Sequence, residues 1–186
     1  VTHVRTLIRA AAGVLALLKK YAVLLQHSNS DWCDGDCQVS TIVQILADPY
    51  FRTIQGLAVL IEKEWLASGF PFAMRCSYNT DASAMSPVFL LTISAIFCLT
   101  NDFPTAFEFN EEYLFFLVDS VYSGRFGTFL GNTEIERNSL RGNTISAWTH
   151  VKANLEQFKS PFYIRLNGCL EVSHFYDPFF WSGYAF

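Results

Sequence analysis

The chain has 186 residues, of which 51% are hydrophobic, 16% aromatic and 16% charged, so it has enough apolar side chains for a buried core and is not a disordered protein. Its formal net charge of −4 excludes the positive field that tight binding to nucleic acid or to an anionic bilayer requires. Its five cysteines form an odd, dispersed set that is typical of a reducing compartment rather than of a disulfide framework. We therefore expect a cytoplasmic protein.

The longest stretch without a charged residue runs from Ala82 to Asn101. A membrane span needs about 20 mostly apolar residues. This stretch instead contains a proline, an asparagine, three serines and two threonines, which favours a buried helix. Because the chain begins with Val1 and ends in an aromatic cluster, we expect it to be part of a longer protein.

The first quarter of the chain predicts a helix, a strand, a loop and a second helix, in that order. Residues 2–20 predict an amphipathic helix, because apolar residues recur along one face. These residues are Val4, Leu7, Ile8, Ala11, Leu15 and Leu18. Residues 21–26 form a continuous apolar run typical of a strand inside a parallel sheet. Residues 27–36 are polar and rich in turn formers, and residues 37–47 again show a helical apolar face.

The remainder of the chain predicts mostly helices. Residues 52–68 are expected to form one long helix that Gly69 ends, with Glu62, Lys63 and Glu64 facing outward. The other predicted elements are a loop at 75–86, helices at 87–99 and 110–123, turns from Gly124 onward and a short helix at 145–158. The aromatic residues between Phe103 and Phe129 are expected to lie in the core.

The loop at 27–36 lies where phosphate sites are built, because the free amides at the start of a helix point toward an anion. A cysteine-dependent phosphatase also needs a thiolate at this helix start and an arginine six positions later. The residues six positions after the five cysteines are Val39, Val43, Ala82, Pro104 and Phe175, and none is arginine. The loop itself carries Asp31, Asp34 and Asp36 without lysine or arginine, so a phosphate would meet like charge. We expect no phosphatase turnover.

Two other chemistries at this loop are weaker hypotheses. Ser28 could act as a nucleophile only with a base, and the adjacent His27 is expected to point to the opposite face. Cys33 and Cys37 with His27 do not have the spacing of a zinc site. A hydrogen-bonded turn serine and a solvated acidic turn are the favoured interpretations, with no metal and no cofactor.

The histidines elsewhere are too far apart to form a motif. His3, His150 and His174 have no partnered motif, so surface or core roles are favoured over catalysis.

A series of motifs in this sequence resembles the myotubularin phosphoinositide phosphatases, downstream of their catalytic loop. The first is Asp48-Pro-Tyr-Phe-Arg-Thr-Ile-Gln-Gly56, which continues into Leu60-Ile-Glu-Lys-Glu-Trp-Leu66 and Gly69-Phe-Pro-Phe72. The later ones are Ser86-Pro-Val-Phe-Leu-Leu91, Phe103-Pro-Thr-Ala-Phe-Glu-Phe-Asn110, Phe126-Gly-Thr-Phe-Leu-Gly-Asn132 with Glu136-Arg137, Ile145-Ser-Ala-Trp148 and Pro161-Phe-Tyr163. Together these motifs cover most of the chain in the correct order.

The resemblance implies that the catalytic loop of this chain is degenerate. Active members of the family carry His-Cys-Ser-Asp-Gly-Trp-Asp-Arg-Thr. Counting back without gaps from Asp48, the family's cysteine falls on Asn29, its first aspartate on Asp31 and its arginine on Gly35. With one inserted residue that matches the family's histidine to His27, the cysteine falls on Ser28 instead. The degenerate loop consists of His27, Ser28, Asn29, Ser30, Asp31, Asp34, Gly35 and Asp36.

The chain therefore resembles the inactive branch of the family, the myotubularin-related pseudophosphatases. This implies an α/β fold, namely the C-terminal portion of a protein-tyrosine-phosphatase-like domain over residues 1–186, mostly helical in this part. It also implies a non-catalytic adaptor that pairs with an active phosphoinositide phosphatase of the family. Association with phosphoinositide-containing endomembranes would use regions outside this chain. The alternative is an active phosphoinositide 3-phosphatase, with a nucleophile at Ser28 or Cys33.

Overall fold

The structure is a computed structural model that describes residues 2–21, 34–76 and 83–172. This part of the chain is mostly helical. Its α-helices are α1 (Thr2–Leu18), α2 (Asp34–Ala47), α3 (Ile54–Ile61), α4 (Phe72–Cys76), α5 (Val88–Asp102), α6 (Glu111–Tyr122), α7 (Glu134–Leu140), α8 (Ala147–Ala153) and α9 (Leu155–Phe158). Short 3₁₀ helices lie at Pro49–Arg52 and Gly127–Phe129, and a π-helical turn at Glu62–Leu66.

Helix α1 confirms the first predicted helix. The buried face carries five of the six predicted core residues, namely Val4, Leu7, Ile8, Ala11 and Leu15, and it packs on α2 and α5. The prediction was wrong for Leu18, whose side chain is 41% exposed because it lies in the last turn. The predicted strand at 21–26 lies outside the described residues except for Tyr21, which is exposed.

Helix α2 begins earlier than predicted. Asp34, Gly35 and Asp36 were expected in the loop, but they form its first turn. Acidic side chains are stabilised at this end of a helix by the partial positive charge of the free amides, which explains the early start. The degenerate loop and helix α2 therefore overlap at these three residues.

The single helix predicted over residues 52–68 is wrong, because the segment is divided into three parts. Asp48 caps the 3₁₀ helix by accepting from the Tyr50 amide at 2.8 Å, and Thr53 is extended and caps α3 through the Gly56 amide at 2.9 Å. At Gly56 a Cβ atom would lie 1.8 Å from the Tyr50 carbonyl oxygen, so only glycine permits this close approach. After the π turn the chain reverses at Gly69, which has φ of 85°, as predicted.

Glu64 was predicted to face outward, but its side chain is only 17% exposed. It accepts hydrogen bonds from Ser40 and Gln44 of α2, both at 2.8 Å, and pairs with Lys63. Burial acts to raise the pKa of Glu64, but these hydrogen bonds and the lysine charge together lower it below its ordinary value. The carboxylate therefore ties the π turn to α2.

Among the remaining elements, the long helices were predicted correctly and the short ones were not. The helices predicted at 87–99 and 110–123 are confirmed as α5 and α6, and Asn110 caps α6 by accepting from the Tyr113 amide at 3.1 Å. The short helix α7 was predicted as turns, and Arg75 and Cys76, the last two residues of the short helix α4, were predicted as loop. The helix predicted at 145–158 is divided at Asn154.

The sheet of the predicted α/β class is not seen in the described residues. There, β-pairing is confined to two isolated bridges, Phe109 with Lys159 (antiparallel) and Phe126 with Ile145 (parallel). No helix within residues 2–21, 34–76 and 83–172 is long and apolar enough to cross a membrane. The uncharged stretch from Ala82 to Asn101 instead supplies most of α5, which packs on α1, α2 and α6.

The core is built around Trp65, which is fully buried. Its ring contacts Phe70 and Phe89 edge-on, with ring centroids 4.8 and 5.0 Å away, and its indole N–H donates to Thr41 Oγ1 at 2.9 Å. Phe107, Phe109, Tyr113, Phe126 and Phe129 are also buried, as predicted for this part of the chain. Phe103, Phe115 and Phe116 are only partly buried.

A guanidinium group lies fully buried beside this core. Arg52 donates to the carbonyl oxygens of Ile45 (3.4 Å), Leu166 (3.3 Å) and Gly168 (2.9 Å). Burial lowers the pKa of Arg52, although the Asp48 charge opposes this. Its Nε atom has no hydrogen-bond partner in the structure, and no carboxylate of the described residues lies within ion-pair distance.

We expect Arg52→Met to lower the free energy of unfolding by about 3 kcal/mol, because three carbonyl groups lose their donor. Urea unfolding followed by circular dichroism measures this. Arg141→Met, at an exposed arginine, is the matched control and should leave the stability unchanged. Equal stabilities for the two variants would show that the Arg52 hydrogen bonds do not hold the segment at 166–168 in place.

Candidate functional site

The structure describes only the end of the predicted degenerate loop. His27, Ser28, Asn29, Ser30 and Asp31, together with Cys33, lie outside the described residues. Asp34, Gly35 and Asp36 are described and form the first turn of α2. Gly35 is the position that the family resemblance aligns with the phosphate-binding arginine, and it offers no side chain to an anion.

An ion pair lies at this helix start. Arg75 of α4 donates through Nη2 to Asp34 Oδ2 at 2.9 Å, and through Nη1 to the Ala84 carbonyl oxygen at 3.0 Å. Both side chains are mostly buried, with 24% of Asp34 and 13% of Arg75 exposed. The backbone closes the same corner, since the Ser86 amide donates to the Arg75 carbonyl oxygen at 3.1 Å. Arg75 therefore joins α4, the first turn of α2 and the segment that precedes α5.

The charges at this corner do not suit a phosphate. Burial raises the pKa of the Asp34 carboxyl, and the Arg75 guanidinium opposes that rise without cancelling it. The second carboxyl oxygen, Oδ1, is buried and has no hydrogen-bond partner among the residues that the structure describes. Arg75 already faces a carboxylate and a carbonyl, so its charge is directed to groups of the protein itself.

Sequence reasoning missed Arg75 because it placed residue 75 in a loop. Helix α4 has only five residues, so apolar periodicity gives almost no signal for it. The signal that remained was chemical: Arg75 stands next to Cys76 in a segment that is otherwise apolar or small.

Three of the four described cysteines are buried and are poor candidates for a nucleophile, whereas Cys169 is exposed. Cys37, Cys76 and Cys98 are buried, and burial raises the pKa of both Cys76 and Cys98 to about 11. A thiol with such a pKa is protonated at neutral pH and is neither nucleophilic nor a good metal ligand. Cys37 is the nearest of the three to the loop, and its sulfur lies 3.5 Å from Ser68 Oγ.

Metal ligands are also dispersed over the described ranges. No group of three histidine, cysteine, aspartate or glutamate side chains in residues 2–21, 34–76 and 83–172 is placed to hold an ion. His3 is exposed on α1, and His150 stacks on Phe116 with 4.9 Å between ring centroids. His174 and the other member of the hypothetical cysteine pair, Cys33, lie outside the described residues.

Comparison with known proteins decides the family. Residues 1–138 match the family model described as "Myotubularin-like phosphatase domain". The chain belongs to this family. The resemblance that the sequence motifs indicated is thereby confirmed at the level of the family, and the inactive branch stays a prediction.

Curated relatives support the same assignment. The chain is 36% identical over 188 residues to phosphatidylinositol-3,5-bisphosphate 3-phosphatase MTMR8 of Homo sapiens, an alignment that covers 97% of this chain and 27% of that protein. It is 36% identical over 169 residues to myotubularin of Rattus norvegicus, with 88% and 28% covered.

A third relative is much longer. "Probable serine/threonine-protein kinase pats1" of Dictyostelium discoideum is 45% identical over 144 residues, which are 76% of this chain and 4% of that protein. The chain thus spans between 4% and 28% of the length of these three relatives.

The Asp34–Arg75 pair gives a titration prediction. In Arg75→Met the charge that opposes the burial effect is lost, so the pKa of Asp34 should rise further above its ordinary value. A carbon-detected NMR titration of the Asp34 carboxyl measures it. Because the pKa of Asp34 is then higher in the folded than in the unfolded protein, the free energy of unfolding of the variant should rise as the pH falls from the folded-state pKa to the unfolded-state pKa.

Arg137→Met is the matched control, because Arg137 is also half-buried and donates to two backbone carbonyls, those of Gly131 and Leu66. It should leave the Asp34 titration unchanged. An Asp34 pKa that falls or stays constant in Arg75→Met would contradict the assigned ion pair.

Proposed function

We propose that this chain is a non-catalytic member of the myotubularin family, which acts as an adaptor for active phosphoinositide phosphatases. One observation carries the proposal. None of the five cysteines is followed by an arginine six positions later, and the positions that align with the family's cysteine and arginine hold Asn29 or Ser28 and Gly35. The loop therefore lacks both the covalent nucleophile and the bidentate phosphate clamp.

The described end of the loop supports this proposal. The first turn of α2 presents two carboxylates, Asp34 and Asp36, where an active enzyme would need to attract a phosphate. The field at the helix start contributes only about 0.3–1 kcal/mol for an anion, and residues 27–36 contain no lysine or arginine that would add to it. The neighbouring cation, Arg75, is held by Asp34 and the Ala84 carbonyl.

The adaptor proposal includes a partner and a cellular location. We propose pairing with an active member of the family, within a parent domain of protein-tyrosine-phosphatase-like α/β fold that includes residues 1–186. Two relatives are named as phosphatidylinositol-3,5-bisphosphate 3-phosphatases, and the chain aligns with about a quarter of each. A cytoplasmic protein that reaches endomembranes peripherally, through regions beyond this chain, is consistent with such a partner.

The second candidate is an active phosphoinositide 3-phosphatase, and the names of these relatives favour it. It requires a nucleophile at Ser28 or Cys33 and a substitute for the missing arginine. The kinase name of the Dictyostelium relative supplies no third candidate, since the alignment covers 4% of that protein.

Phosphate release distinguishes the two candidates. The full-length protein should release no phosphate from phosphatidylinositol 3-phosphate or the 3,5-bisphosphate above the level of its Ser28→Ala, Cys33→Ala double variant. Loss of the clamp alone should slow turnover about a hundredfold to a thousandfold relative to human MTMR8 in the same assay. Release that the double variant abolishes would establish the active enzyme and refute the adaptor proposal.

Pairing is measured separately from turnover. Mixed with human MTMR8, the protein should elute as a heteromer in size-exclusion chromatography with light scattering, at a mass above that of either protein alone. Rat myotubularin serves as a second partner from the same family. Separate elution from both, together with no phosphate release, would contradict the adaptor role.

A further inference from the structure

A cleft of about 590 Å³ lies between the start of α3, helices α8 and α9 and the segment at 163–165. Its volume is in the range of clefts that bind a ligand or a partner's side chains. The apolar lining comes from Ile54, Ala58, Trp148, Val151 and Leu155, with Tyr50 and Tyr163 beside them. None of these residues was singled out by sequence reasoning as part of a site.

The cleft is lined by more cationic than acidic side chains. Lys152 and Arg165 line it as cations, and both are exposed. Neither has a carboxylate partner in the described ranges. The one acidic lining residue is Glu108, whose Oε2 accepts from the Ile54 amide at 2.9 Å. On a chain with net charge −4, the cleft is thus a local surface that favours an anion.

Exposed apolar residues also lie next to the cleft's lining residues in the sequence. Phe162 and Ile164 flank Tyr163 in the sequence and are 69% and 58% exposed. Tyr50 and Leu155, which line the cleft itself, are also exposed large hydrophobic residues. Exposed tyrosine and leucine side chains next to an arginine and a lysine are compatible with a protein interaction site, where aromatic residues and arginine are enriched.

We infer that the cleft binds a segment of a partner protein that carries an apolar side chain flanked by carboxylates. The apolar side chain would lie against Trp148 and Ile54, and the carboxylates would pair with Lys152 and Arg165. A basic segment would meet two like charges, so charge complementarity selects an acidic one. This inference rests on the proposed adaptor function, for which it supplies the docking surface.

The test uses the full-length protein and a defined probe. The probe is a fluorescein-labelled decapeptide in which leucine and tryptophan alternate with glutamate, and its partner probe has lysine in place of every glutamate. Fluorescence anisotropy should show binding of the acidic peptide and not of the basic one. Lys152→Glu with Arg165→Glu should weaken that binding about tenfold or more.

The control variant, Lys20→Glu with Arg141→Glu, makes the same change of charge at exposed cations outside the cleft and should keep the wild-type affinity. Equal weakening by both double variants would show only a general charge effect and would overturn the inference. The inference is also overturned if the wild type binds neither peptide. Binding that appears only after removal of residues 173–186 would assign the cleft to the chain's own end and would also overturn it.

The pairing experiment with human MTMR8 separates this inference from the adaptor proposal. If the cleft variant loses the acidic peptide but still pairs with MTMR8, the adaptor role stands and the cleft is not its docking surface. If the wild type binds the acidic peptide but pairs with no active relative, the cleft is a peptide site and the adaptor role fails. Loss of both activities in the cleft variant, with both retained in the control, supports the two together.

Discussion

The buried guanidinium of Arg52 joins the end of α2 to a segment that is distant in sequence. It lies between the end of α2 and the segment at 166–168, and its donors reach carbonyl oxygens on both. Burying a cation without a carboxylate is costly, so the structure depends on these carbonyls being held in place. Arg52 is the last residue of the 3₁₀ helix, and the extended Thr53 separates it from α3.

A second arginine fulfils a different role at the other end of α2. Arg75 binds a carboxylate and a carbonyl at the position where a phosphatase of this family would offer its helix start to a substrate. The two arginines have a common property: each is directed to groups of the protein itself. In the alignment that the resemblance implies, the family's loop arginine falls on Gly35, and the nearby cation Arg75 has a structural role.

The long elements could be predicted from the sequence, and the short ones could not. Helices α1, α5 and α6 have enough turns for apolar periodicity and caps to be recognised, as Asn110 illustrates at the start of α6. Helices α4 and α7 have five and seven residues, and their stability depends on packing rather than on their own propensity. Residues 52–68 are divided at the extended Thr53, whose hydroxyl accepts from the Gly56 amide, and at a π turn, and apolar periodicity alone reveals neither.

The sequence by itself indicated the family, which the family model confirms, and it determined the acidic character of residues 27–36 and the absence of an arginine six positions after any cysteine, because these are facts of residue type and spacing. Only the tertiary structure decided what the remaining charges do. Asp34 and Arg75 form an ion pair although they are 41 positions apart. Lys152 and Trp148 of α8 line one cleft together with Tyr50 and Arg165, which come from other parts of the chain. Such pairings arise when helices pack, since the partners of a side chain are set by distance in space and not along the chain.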